Sequence, residues 1–310
     1  MTTDPAPTDD LLTGVVPVAP TIFTDDEELD LDGQRRVCDH LIDAGVDGIC
    51  ILANYSEQFS LTDAERRAVL ETTLDQVAGR VAVCVTTSHF SSRIAAERSR
   101  EAARLGADMV MLMPPFVGAT IQVGGHGVLD YFRTVADGLR VPIMVQDAPM
   151  SPTRLPVELI TELAGTVEAI THVKVEVPRA AAKISELGRH ADVLPGLFDG
   201  EEAITLIPDL QAGAVGTMSS SSASRELVDI LRSWQSGDRD GAEQQWETLL
   251  PLLHYENRQC GPAAAKAILA EGGVIASERT RSPFPGLDEP TRTTLVRLAR
   301  RRELFALNWA

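Results

Sequence analysis

The chain has 310 residues and a mass of 33.4 kDa, with 44% hydrophobic and 24% charged residues, which suits one large α/β barrel or two medium domains of a soluble globule. Its net charge of −17 argues against nucleic acid or an anionic membrane as a partner, because their phosphates would be repelled. No apolar run reaches membrane-span length, the first residues are acidic and proline-bearing, and Cys38, Cys50, Cys84 and Cys260 lack CxxC spacing, so a cytoplasmic protein in a reducing compartment is expected.

Residues 1–12 read as a polar, mobile tail. A strand is expected at 15–20. The first helix starts near Asp32, read as its N-cap, buries Val37, Leu41 and Ile42, and stops at Ala44 and Gly45. The same helix-to-strand joint recurs at Ala78 and Gly79, Leu105 and Gly106, Asp137 and Gly138, and Ala212 and Gly213. Glycine there takes the left-handed conformation that ends a helix without a Cβ penalty.

Further strands are expected at 48–53, 81–87, 109–113, 141–147, 169–176, 193–198 and 214–219. Repeated βα units, with no GxGxxG after an early strand, predict an α/β fold: a (β/α)8 TIM barrel over 13–223. Beyond Ser222 the pattern is helical at 224–235, 240–253, 259–270 and 289–304, more than one barrel helix requires. A C-terminal helical bundle over 224–310, packed on the barrel, is expected.

Barrel active sites form where strands end. The strand at 169–176 alternates valine with polar residues, so His172, Lys174 and Glu176 share one face and Val173, Val175 and Val177 the other. A lysine and a glutamate facing the interior of a closed sheet are costly unless they do chemistry. Lys174 is therefore the candidate reactive amine, with a pKa expected to be lowered by desolvation. Other mouth candidates are Asn54, Tyr55, Ser56, Ser88, Gln146, Asp199, Gly200 and Ser219, and His89 is the mouth histidine that could move a proton near neutral pH. Asn54, Ser56 and Ser219 to Ser222 could instead cap helices, the preferred reading for Glu57 and the later serines, and Asp199 could be a turn residue. No histidine or cysteine cluster has metal-ligand spacing, so a reaction without metal or other cofactor is expected. Hydroxyls, amides and an amine suit a carboxylate and a carbonyl, hence Schiff-base chemistry on a 2-oxo acid.

The sequence resembles the dihydrodipicolinate synthase/N-acetylneuraminate lyase family of class I aldolase-like barrels. The segment Ala53-Asn54-Tyr55-Ser56-Glu57 falls on the family's carboxylate loop, Lys174 on its Schiff-base lysine, and Gln146-Asp147-Ala148-Pro149 on its Y-N-x-P segment. Two departures matter: Gln146 and Val117 stand where the family keeps the tyrosines of a proton relay. Glutamine cannot titrate, and Glu176 offers a carboxylate instead. These changes, with the segments 51–60, 144–149, 199–205 and 272–279, resemble a sugar-acid dehydratase branch of the family.

That resemblance implies dehydration of 2-dehydro-3-deoxy-L-arabinonate to 2-oxoglutarate semialdehyde, a step of L-arabinose catabolism. It further implies Lys174 as the imine, Glu176 as base at C3, His89 or Glu176 as acid, Tyr55 and Ser56 with their backbone amides holding the carboxylate, Gln146 orienting a hydroxyl, and a homotetramer. The alternatives are a class I aldolase cleaving the same acid to pyruvate and an aldehyde, a dehydratase of a related sugar acid, and a sugar-acid-binding barrel without catalysis.

Overall fold

The computed structural model describes residues 11–118 and 123–309; the tail expected at 1–12 lies almost wholly outside them. Among the described residues eight parallel strands form one sheet: β1 (Gly14–Val15), β2 (Gly48–Ile51), β3 (Ala82–Thr86), β4 (Met109–Leu112), β5 (Ile143–Asp147), β6 (Ile170–Val175), β7 (Gly196–Asp199) and β8 (Gly216–Thr217). The order is β1-β8-β7-β6-β5-β4-β3-β2. Its two edges meet where the Ala19 N–H donates to the Cys50 carbonyl at 2.8 Å and the Cys50 N–H donates to the Pro17 carbonyl at 2.9 Å. The sheet is thus a closed barrel without a free edge. β1 is shorter than the expected 15–20 because Pro17 and Pro20 have no N–H to give, and beyond Val15 only Val18 bridges to Cys50 and Ser220.

The helices between the strands are α1 (Leu31–Ala44), α2 (Asp63–Val77), α3 (Ser92–Leu105), α4 (Gly125–Ala136), α5 (Val157–Thr166), α6 (Ala180–Leu187) and α7 (Leu206–Gln211). Asp30, rather than Asp32, caps α1: its carboxylate accepts the Gly33 N–H at 2.8 Å, leaving Asp32 in the first turn. The five joint glycines, Gly45, Gly79, Gly106, Gly138 and Gly213, have φ of 82°, 74°, 112°, 71° and 109°, the left-handed region their role requires.

α8 (Ser224–Gln235) packs on β1 and α1 and completes the ring of barrel helices. The added helices are therefore α9 (Arg239–Tyr255), α10 (Ala263–Glu271) and α11 (Glu289–Arg300), with a π-helical turn at Glu256–Cys260. Among the described residues no helix is long and apolar enough to cross a membrane.

Strand alternation divides the interior in two. Ile49, Ile51, Val83, Val85, Val110, Leu112, Ile143, Val145, Val173, Val175 and Leu197 point outward into the layer beneath the helices. Cys50, Cys84, Met109, Met111, Met144, Phe198 and Met218 fill the lumen. All four cysteines are free and buried.

The lumen floor is sealed by His172, whose ring contacts the Leu12 carbonyl through Nε2 at 3.0 Å and the Thr171 hydroxyl through Nδ1 at 2.7 Å. Burial lowers its pKa to about 4, so it is neutral at physiological pH. Gly196 makes room for this ring, since a Cβ there would lie 2.1 Å from His172 Cδ2.

The extension is tied to the barrel mouth by a buried ion pair. Lys266 of α10 donates to the carboxylate of Glu57, just after β2, and to the Arg279 carbonyl at 2.9 Å; the Phe23 ring lies 4.4 Å from its ammonium. The second Glu57 oxygen accepts the Arg281 N–H at 2.8 Å. The Glu57 side chain therefore caps no helix; Thr62 caps α2 through a capping box with Glu65.

Removing one member of such a pair leaves an uncompensated buried charge. Lys266→Met is expected to lower stability by roughly 3–5 kcal/mol, whereas Glu57→Gln combined with Lys266→Met recovers most of the loss. Urea unfolding of both variants checks this: a single variant no worse than the double one would show that the pair does not hold the extension to the mouth.

Candidate active site

Lys174 lies in β6, flanked in register by Gln146 of β5 and Phe198 of β7. It is 3% exposed, so its ammonium cannot be solvated by bulk water. A one-residue irregularity opposite the Ile143–Met144 step places Thr171 outside the regular alternation and fixes the inward facing of His172 and Lys174. Glu176 follows the end of the strand, and its N–H donates to the Asp147 carbonyl at 3.1 Å. Its carboxylate meets the Lys174 ammonium at 3.0 Å and accepts the Gln146 amide N–H at 2.8 Å on the same oxygen. The carbonyl oxygen of that amide is buried with no hydrogen-bond partner among the described residues.

Closing this triad requires Gly200. A Cβ there would stand 2.5 Å from Glu176 Cγ and 2.7 Å from Lys174 Cγ. After it the chain turns sharply, with Glu202 and Ala203 at φ of 56° and 61° although neither is glycine. Asp199 pins the turn: its carboxylate accepts the Thr217 hydroxyl at 2.5 Å and the Glu201 and Ala203 N–H groups at 3.2 Å each. Asp199 is thus bound to its own loop.

Electrostatics overturn one expectation. Burial alone pushes the Lys174 amine down, but the charges of Glu176 and Glu202, with a smaller contribution from Cys50, more than reverse it, and the pKa is raised. At rest the lysine is an ammonium, and it would act as a nucleophile only after a neighbouring acceptor took its proton.

Glu202 is pushed toward its protonated form. Burial raises its pKa to about 8; Lys174 opposes the rise, Glu256 and Glu176 add to it, and the Ser220 N–H, donated at 2.5 Å, lowers it again. Glu256, on the π-helical turn, is also raised by burial, to about 7, against hydroxyl donors from Ser220 and Ser222, the latter at 2.9 Å. Burial raises the pKa of Tyr55, and Glu202, Glu256 and Glu176 raise it further, so it stays a phenol.

Lys174, Glu176 and Gln146 are in direct contact, and Tyr55 lies within the field of the surrounding carboxylates. Five other expected residues are engaged elsewhere. His89 Nδ1 accepts the Ser91 N–H at 2.9 Å, burial lowers the pKa of its ring, and the charges acting on it are Arg98, Asp63 and Arg66 rather than Lys174. The Ser56 hydroxyl donates to the Ala19 carbonyl at 2.6 Å. The Ser88 hydroxyl accepts the Met113 N–H at 2.9 Å, and that of Ser219 donates to the Ser220 carbonyl at 3.2 Å. Asn54 accepts the Gln58 amide at 2.7 Å and approaches Met113 Sδ at 3.7 Å. Glu202 and Glu256 were not singled out by sequence reasoning. Two adjacent glutamates after a strand-ending Asp-Gly were the available signal for the first; nothing local signals the second, because α9 and α10 bring it to the barrel.

The family model described as the dihydrodipicolinate synthetase family matches residues 11–302. The chain is 48% identical over 298 residues to L-2-keto-3-deoxyarabonate dehydratase of Azospirillum brasilense, with 96% of each chain covered. It is 31% identical over 300 residues to 4-hydroxy-tetrahydrodipicolinate synthase of Methanopyrus kandleri, covering 95% of this chain and 96% of the other. Among solved structures, that of YagE from Escherichia coli in complex with pyruvate, a prophage protein of the dihydrodipicolinic acid synthase family, matches with a TM-score of 0.87 at 28% identity, covering 95% of this chain and 100% of that one.

Because backbone crowding at Gly200 sets the Lys174–Glu176 contact, Gly200→Ala is expected to leave the barrel folded at a cost of about 1–3 kcal/mol. Turnover should fall by about 10²-fold, the effect of an ångström-scale misplacement. Circular dichroism with a steady-state assay tests this; wild-type turnover in the variant would show that the contact tolerates the methyl group.

Proposed function

This chain belongs to the dihydrodipicolinate synthetase family, and within it we propose a hydro-lyase that converts 2-dehydro-3-deoxy-L-arabinonate to 2-oxoglutarate semialdehyde and water through an imine on Lys174. The observation that carries the reading is the placement of Glu176 on the Lys174 ammonium, with non-titrating Gln146 as its other partner. The similarity to an L-2-keto-3-deoxyarabonate dehydratase supports the choice of substrate. A soluble cytoplasmic homotetramer acting in L-arabinose catabolism without a cofactor completes the proposal.

Each step uses a residue already in place. Glu176 takes the proton that its own charge has helped to keep on Lys174, and the freed amine adds to the C2 carbonyl, giving an imine after loss of water. The protonated imine acidifies C3–H, and Glu176, relieved of its proton by exchange with the aqueous mouth, removes a C3 proton to form the enamine. The enamine expels the C4 hydroxyl. Gln146, with its buried free carbonyl oxygen, holds a substrate hydroxyl. Tyr55, on the loop after β2, takes the substrate carboxylate. Cleavage between C3 and C4 would instead need a base at the C4 hydroxyl, and neither Gln146 nor the half-exposed Val117 can titrate.

Borohydride trapping with pyruvate tests the imine: a stable adduct is expected on Lys174 and on no other lysine, and Lys174→Ala should abolish both adduct and turnover. Glu176→Gln separates base from ion-pair partner. With Glu176 neutral, burial acts on Lys174 less opposed, so trapping at neutral pH should persist. Exchange of pyruvate methyl protons in deuterium oxide, by contrast, should fall by roughly 10²–10⁴-fold, the usual worth of a general base. Undiminished exchange, or an adduct on another lysine, would overturn the assignment.

A further inference from the structure

Dehydration needs two proton movements beyond those assigned to Glu176. The departing hydroxyl must receive a proton to leave as water, and C5 must lose one before the product can be an aldehyde. His89, the histidine expected to serve, is held by the N-terminus of α3 and sits among Arg98, Asp63 and Arg66.

Another carboxyl group meets the requirements by position. Glu202 is buried, two residues beyond the Gly200 that touches both Lys174 and Glu176, and close enough to act on Lys174 and Tyr55 through its charge. Its backbone is held left-handed at φ 56°, by a turn that Asp199 pins and whose Ala203 carbonyl accepts the Trp246 indole N–H at 2.9 Å. A strained non-glycine residue kept in place by surrounding structure is a mark of function. The Ser220 N–H holds one of its oxygens, and the Ser220 hydroxyl donates to Glu256, whose second oxygen is buried without a partner among the described residues. The two acids thus share one serine, Glu202 on its N–H and Glu256 on its hydroxyl.

Resting on the dehydratase reading, we propose that Glu202 is the acid that protonates the departing C4 hydroxyl, and that its carboxylate then removes a proton from C5. The steps balance. Glu176 takes a C3 proton and the electron pair enters the enamine. The enamine re-forms the iminium as the C4–O bond breaks, oxygen takes the Glu202 proton, and water leaves a C3–C4 double bond. Glu202, now ionised, takes a C5 proton; electrons shift to a dienamine carrying an enol at C5, and Glu176 returns its proton to C3. The enol tautomerises to the aldehyde, hydrolysis frees Lys174, and both glutamates end as they began. The raised pKa of Glu202 agrees with the acid role, since burial keeps a proton on the carboxyl that must donate one.

The test uses 2-dehydro-3-deoxy-L-arabinonate and its analogue with fluorine in place of the C4 hydroxyl, since fluoride leaves without a full proton transfer. Glu202→Gln keeps an acceptor for the Ser220 N–H, and pyruvate trapping at Lys174 reports whether its mouth is intact. We expect loss of water to fall by about 10²–10⁴-fold while fluoride loss stays within about tenfold of wild type. Glu202→Asp, which keeps the acid, should restore part of the water loss. Equal loss of both eliminations, or of neither, would overturn the proposal while leaving the dehydratase reading intact. A wild-type enzyme that releases fluoride or traps pyruvate but never dehydrates the sugar acid would overturn that reading itself, and the proposal with it.

Discussion

The contact between the Lys174 ammonium and the Glu176 carboxylate is the constraint on which the rest of the structure depends. A cation removed from water in a closed barrel costs several kcal/mol unless it is paired and hydrogen-bonded. Here the lumen below is filled by methionine, cysteine and phenylalanine, and water cannot reach the amine from that side. Compensation must come from the mouth, and it does, from Glu176 at 3.0 Å. The same arrangement sets the chemistry, because an amine kept protonated by a carboxylate already has its proton acceptor in contact.

Backbone features follow from that pair. Gly200 gives up its side chain so that two long side chains can share one space, and Asp199 spends its carboxylate fixing the turn that follows. The C-terminal helices serve the same end from further away. α10 supplies Lys266 to hold Glu57 beneath the loop after β2, and the π-helical turn before it places Glu256 behind Ser220. The extension is therefore part of the mouth as well as a support for the barrel.

Much of this was legible in the chain. Period-two alternation put His172, Lys174 and Glu176 on one face, and glycines at helix ends divided the chain into βα units, because both signals are local and both follow from backbone geometry. The α1 cap was misplaced by two residues because Asp30 and Asp32 are equally good caps by chemistry, and only the turn before the helix selects between them. Three features of the site were not legible. The direction of the Lys174 shift depends on how many carboxylates surround it, a matter of tertiary placement. His89 has the right chemistry for a proton donor, but the position of α3 engages it elsewhere. Glu256 lies in a stretch that reads as ordinary helix and reaches the site only through the path of α9 and α10.

The central claim is that a mouth with a carboxylate on the imine lysine, and glutamine in place of a titrating tyrosine, directs a 2-oxo-3-deoxy sugar acid to elimination rather than to carbon–carbon cleavage. Its most direct test is carbon-13 NMR of the products formed from 2-dehydro-3-deoxy-L-arabinonate by the wild-type enzyme. The account predicts 2-oxoglutarate semialdehyde with all five carbons in one molecule; pyruvate and glycolaldehyde in its place would contradict it.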